Sequence, residues 1–252
     1  MGKKNNSSVL QEVAPFVAIT VFLDSTLFFG VDDYAMGFVR GALVQKIADR
    51  HRVTFKGNAL AVVALGDLAG GWVVVAKNLI QQLASPWTYL KQQFDVLSWS
   101  EEAGRTFAIG VLFEDYLSMV HPKSLIKEDE AHRVRQAIEY ALHQTSFQLP
   151  PSIITLVKDT GSEVVKGMVQ SITAEAGSWK GKKKGKAQFT VLDRLLNGAS
   201  VTLQIAIAQI VQVLAQEGAL FAEQLRKNFQ CQKIIRSVSK TKKFSDTKIG
   251  LC

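Results

Sequence analysis

Residues 13–31 read VAPFVAITVFLDSTLFFGV, with Asp24 as the one charge, and residues 59–76 read ALAVVALGDLAGGWVVVA, with Asp67 as the one charge. Each run is close in length to a membrane span, and each predicts a strongly apolar helix. On a helical wheel Asp67, Gly70, Gly71, Asn78 and Gln81 fall on one side of the second run. That narrow small-and-polar stripe suits protein rather than lipid as its neighbour. A third run, 195–216, carries no charge at all. Only five prolines occur in 252 residues, well under the usual share of about 5%, which argues against a loop-rich β-sandwich and favours long helices.

Amphipathic segments lie between the apolar runs. From 34 to 50, Met36, Val39, Leu43, Val44 and Ile47 recur at helical spacing, with Arg40, Lys46 and Arg50 among them. Asn58 is placed to cap the second apolar helix. Ser98-Trp99-Ser100-Glu101 has the pattern of a capping box and predicts a helix from there to about Val120. A further helix is expected from about Leu125 to Gln144, and another after Pro150-Pro151 with Ser152 as its cap. The expected fold is all-α, a bundle of six to eight helices, two or three of them strongly apolar. Its expected divisions are a polar N-terminus (1–8), a main helical domain (9–176), a Gly/Lys linker (177–188), a long C-terminal helical segment (189–238) and a frayed basic tail (239–252).

Thirty Lys and Arg against twenty-two Asp and Glu leave a net charge of +8. Such a balance favours anionic partners, either phospholipid surfaces or nucleic acid. Much of the excess sits at 180–186 and beyond Arg226. Trp179 directly precedes the first cluster, and Trp87 and Tyr89 follow Pro86 at the close of the second apolar segment. Aromatic side chains in those positions suit the headgroup level of a bilayer. The residues expected to contact lipid are therefore Trp87, Trp179, Lys180, Lys182, Lys183, Lys184 and Lys186, together with the C-terminal lysines and the apolar runs 13–31 and 59–76. Nucleic acid is not the expected partner, because no stacking aromatics are interleaved with the basic residues and no zinc-finger or RNA-recognition signature occurs.

Four acids stand inside apolar segments: Asp24, Asp67, Glu114 and Asp115. A charge held in hydrocarbon costs about 2.5–3.5 kcal/mol, so each must face a bundle interior, a water path or a cation. The preferred expectation is that each reaches water or pairs with a basic side chain such as Arg40 or Arg105.

No Gly-x-Ser-x-Gly elbow, His-Glu-x-x-His helix or Gly-x-Gly-x-x-Gly turn occurs. Residues 181–187 resemble a phosphate-binding loop only loosely, with three residues between the glycines and no Ser or Thr for magnesium. The pairs Asp129/His132 and Glu139/His143 would need further inward carboxylates for a metal centre, and only Glu114 and Asp115 offer themselves. No metal, cofactor or catalytic set is expected. Cys231 and Cys252 are too few and too far apart for a disulfide framework, which suits a reducing compartment such as the cytoplasm. The resulting expectation is a non-enzymatic, membrane-associated helical protein that contacts anionic phospholipid. The alternative is a soluble α-helical interaction module that works through residues 203–214. There Gln209, Gln212 and Gln216 line one side of a helix, and Leu203, Ile207, Ile210, Val211 and Leu214 line the other.

Overall fold

The computed structural model describes residues 6–25, 32–66, 96–119, 125–160 and 201–246. Seven helices occur among them: α1 (Asn6–Asp24), α2 (Asp32–His51), α3 (Ala59–Leu65), α4 (Val96–Met119), α5 (Glu128–His143), α6 (151–160) and α7 (Val201–Asp246). Two short strands, β1 (Thr54–Phe55) and β2 (Leu125–Ile126), complete the described residues. The fold is an all-α bundle.

Helix α1 is its axis. Between Val13 and Leu23 every side chain but Pro15 is buried, because α2, α4 and α7 all pack against it. An apolar helix that leaves water on all sides gains about 1.5–3 kcal/mol for each large side chain covered, and Phe16, Ile19 and Phe22 are covered almost completely. The apolar surface of this part of 13–31 is thus taken up by protein. Helix α5 lies across α3, α4 and α7 and closes the bundle on another side.

The strands join two distant connections. Thr54 pairs with Leu125 and Phe55 with Ile126 in a parallel bridge, and Lys56 N donates to Ile126 O at 2.9 Å. Phe55 stacks on Phe113 of α4 with ring centroids 6.2 Å apart. Arg52, at φ 57°, makes the left-handed turn that brings the chain from α2 into β1.

Several local expectations are corrected. Helix α4 begins at Val96, so Ser98 lies within its first turn and donates to Asp24 Oδ2 at 3.1 Å instead of opening a capping box. Leu125 and Ile126 are strand, and the helix expected from Leu125 starts at Glu128, where three acids in the first turn complement the helix dipole. Asn58 stands at the N-cap of α3 without a side-chain capping bond. The C-terminal helix continues through Asp246, past the point where fraying is expected at Ser239. Where two or three strongly apolar helices are expected, one helix among the described residues, over Gln204–Phe229, is long and apolar enough to cross a membrane. The second apolar run is described only as far as Gly66.

Gly110 sets how closely α4 approaches α1. A Cβ there would stand 2.7 Å from both Cγ atoms of Val13 and 3.1 Å from Leu43 Cδ2. Val13 is β-branched and has little rotamer freedom to yield. Gly110→Val is therefore expected to lower stability by about 1–3 kcal/mol through overpacking. Urea denaturation checks this, and adding Val13→Ala should return part of the loss.

Candidate functional site

Among the described residues the buried charges form two separate networks. The larger is built on a row of Arg and Glu side chains between α2, α4 and α5. Arg40 lies at four-residue spacing between Met36 and Val44 on the inward face of α2, and its side chain is only 6% exposed. It forms an ion pair with Glu102, and its Nε donates to Thr106 Oγ1 at 3.2 Å. Thr106 in turn hydrogen-bonds Thr20 on α1 at 3.1 Å. Glu102 also pairs with Arg105, whose Nε lies 3.8 Å from Glu139 Oε1, and Glu139 pairs with Arg135. Three guanidinium groups thus share two carboxylates.

Burial dominates the electrostatics of this row. Desolvation lowers the pKa of Arg40 against the opposing pull of Glu102. The same cause lowers Arg135 to about 10, with Arg40 and Arg105 adding like-charge repulsion and Glu139 offsetting part of the shift. Arg135 is held by a further device. Its Nη1 donates to Val63 O at 2.9 Å and to Ala64 O at 3.0 Å, satisfying carbonyls at the C-terminus of α3. Gly66, at φ 66°, ends α3 there, and a Cβ on it would sit 3.5 Å from Arg135 Nε.

The second network gathers at the C-terminal end of α2. Glu114 of α4, 1% exposed, pairs with Arg50, and His51 Nε2 lies 2.8 Å from its Oε2. Ser118 Oγ donates to the Glu114 backbone carbonyl at 2.9 Å and stands 3.4 Å from its Oε1. Arg50 also pairs with Glu12 and so ties α1, α2 and α4 together. Tyr116, on the same helix, donates to Glu130, and burial together with that bond raises its pKa.

The acids singled out from the sequence do not converge. Glu114 turns to Arg50 and His51, whereas its neighbour Asp115 receives two bonds from Arg226 of α7, at 2.6 and 3.3 Å. Asp24 lies near the opposite end of α4, beside Ser98. Each of the three has a polar or cationic partner, although the bases are Arg50, His51 and Arg226 rather than Arg40 and Arg105. Asp67, Trp87, Trp179, Lys180, Lys182, Lys183, Lys184 and Lys186 lie outside the described residues.

Among the described residues no group of three or more His, Cys, Asp or Glu side chains is placed to hold a metal ion. An open depression of about 180 Å³ lies between the connection after α5 and α7, lined in part by Phe147, Leu220, Phe221 and Glu217. Phe147 and Phe221 pack there with ring centroids 4.6 Å apart. It holds one carboxylate and no base. No family model, curated protein or solved structure matches the chain.

Sequence reasoning missed both networks as assemblies, yet part of the signal was present. Arg40 between Met36 and Val44, and Arg135 between Ala131 and Ile138, occupy core positions of their helices by spacing alone. Their partners come from elements far away in sequence.

Arg40→Met should leave Thr106 with Thr20 alone and Glu102 with Arg105 alone, and destabilise the fold by about 1–3 kcal/mol. The double variant Arg40→Met/Glu102→Met should be less impaired than the single, because the carboxylate that lost Arg40 is gone and Arg105, a third exposed, keeps Glu139 and reaches water. A double-mutant cycle on chemical denaturation midpoints measures the difference.

Proposed function

We propose that this chain is a non-enzymatic, membrane-associated helical protein that contacts anionic phospholipid through an apolar helix and its lysine clusters. One observation carries the reading. The most apolar 18-residue window within Gln204–Phe229 of α7 has a mean hydropathy of 1.5, yet only 39% of that window is buried by the rest of the protein. A helix this apolar in a purely water-facing bundle would ordinarily turn most of its surface inward. Here Val201 and Leu220 are each 72% exposed and Ile205 is 54% exposed, with no charge from 195 to 216. The burial of α1 within the bundle shifts the lipid-facing role from 13–31 to α7. The net charge of +8 supports an anionic surface as the partner.

The alternative is a protein-interaction module acting through 203–214. Gln209, Gln212 and Gln216 are all exposed, and a row of amides can hydrogen-bond a partner helix as well as water. The opposite side, with Ile207, Ile210 and Leu214, is buried in the core. In either case the two cysteines fit soluble parts in a reducing compartment such as the cytoplasm.

Fractionation of cells expressing the full chain separates these readings. The membrane pellet is expected to hold the protein through high salt and alkaline carbonate and to yield it to detergent. Release by salt alone would leave lysine contacts without apolar insertion. Recovery in the supernatant throughout would overturn the membrane reading in favour of the interaction module.

A further inference from the structure

The outward side of α7 carries one row of side chains rich in amides. Ile205, Gln209, Gln212, Gln216, Leu220, Glu223 and Lys227 are all exposed, and they follow one another at intervals of four, three, four, four, three and four residues. The mean interval of about 3.7 is close to the 3.6 residues of a helical turn, so the row keeps to one face of the helix for about 33 Å. Ile207, Ile210, Leu214, Phe221 and Leu225, on the other side, are buried in the core.

The intervals read the same in both directions from Gln216. A second α7 laid antiparallel about a two-fold axis there sets Gln216 against the partner's Gln216, Gln212 against the partner's Leu220, Gln209 against the partner's Glu223 and Ile205 against the partner's Lys227. A primary amide both donates and accepts, so Gln216 can bond its own copy. Gln209 offers its N–H groups to a carboxylate, which makes a charge-assisted bond. Gln212 and Lys227 lay their methylene stems over Leu220 and Ile205, which are 72% and 54% exposed, while the ammonium group reaches water. No like charges meet. In a parallel pair Glu223 would face the partner's Glu223, and Lys227 the partner's Lys227.

We propose that two copies of this chain associate through the 205–227 face of α7, as an antiparallel helix pair centred on Gln216. A second copy is the occupant because the face is complementary to itself: its spacing is palindromic, its amides supply donors and acceptors at once, and each of its two charges meets a neutral side chain. An acidic or basic partner would find one charge of each sign and no row of counter-charges. Lipid would leave all three amides unbonded, which is costly in hydrocarbon. The pairing goes beyond the membrane reading and holds with or without it. It covers Ile205 and Leu220, and it leaves the neighbouring flank, with Val201, Ala208, Ala215 and Ala219, to a bilayer.

The test is oxidative cross-linking of the full-length chain in whole-cell lysate, membranes included, with Cys231→Ser/Cys252→Ser as the parent and new cysteines placed on the face. Covalent dimer is read on non-reducing gels. Gln216→Cys should give about fivefold more dimer than Gln224→Cys, an exposed position off the row, because only facing cysteines come within disulfide reach. Gln209→Cys and Glu223→Cys should each stay at the Gln224→Cys level, since in the antiparallel pair each lies about 21 Å from its own copy. Gln209→Cys/Glu223→Cys should cross-link as strongly as Gln216→Cys, because each cysteine then faces the other across the pair. Circular dichroism of each variant verifies retained helix content. Dimer from Gln209→Cys or Glu223→Cys alone overturns the proposal in favour of a parallel pair. No excess of dimer from Gln216→Cys overturns it outright, and the row then serves another partner or water. Neither result touches the membrane reading, which fractionation decides.

Discussion

The rest of the bundle depends on covering α1. A helix with large apolar residues around its whole circumference cannot leave one face in water, so it needs neighbours on every side. Helices α2, α4 and α7 provide them, and each does so at the expense of its own inward face. The close approach of α4 at Gly110 follows from the same demand, as does the packing of Ile207, Ile210 and Leu214 on α7 into the core. Once α7 has covered α1 on one side, its other side is left outward with residues that carry no charge before Glu217.

Burying so much apolar surface brings charged positions into the interior with it. Arg40 and Glu114 lie on helix faces that packing forces inward, and the low dielectric there makes an unpaired charge costly. Pairing resolves this by linking helices that share no sequence neighbourhood. Arg40 joins α2 to α4, Arg135 joins α5 to the end of α3, and Arg50 joins α2 to both α1 and α4. These interactions fix orientation in a core whose apolar contacts alone are non-directional. They use the ionisable groups structurally, and Glu139, four residues before His143, is committed to Arg135.

Much of the helical content was legible because apolar periodicity is a local property. Met36 to Ile47 specified α2 and Val134 to Ile138 specified α5 without reference to any partner. Boundaries set by long-range pairing were not legible. Leu125 and Ile126 read as the start of a helix, and only Thr54 and Phe55, some seventy positions away, make them a strand. Ser98 reads as a cap because the pattern around it is right, but Asp24 from another helix takes its hydroxyl. The paired-acid site was legible only as a problem. The sequence showed that Glu114 and Asp115 needed partners, and the choice of Arg50 and Arg226 required knowing which helices lie on either side of α4.

The sequence by itself determined the class of this protein, an all-α chain with excess positive charge and apolar runs too long to stand alone in water. Composition and periodicity suffice for that, because both the hydrophobic effect and helix geometry act within a few residues. The tertiary structure decided which apolar helix is enclosed and which remains outward, and it decided the counter-ion of each buried charge. Enclosure is a competition among helices for one another's faces, and α1 and the 204–229 stretch of α7 are both apolar enough to enter it. Helix α1 is covered on three sides and α7 is not, because a central position is available to only one of them.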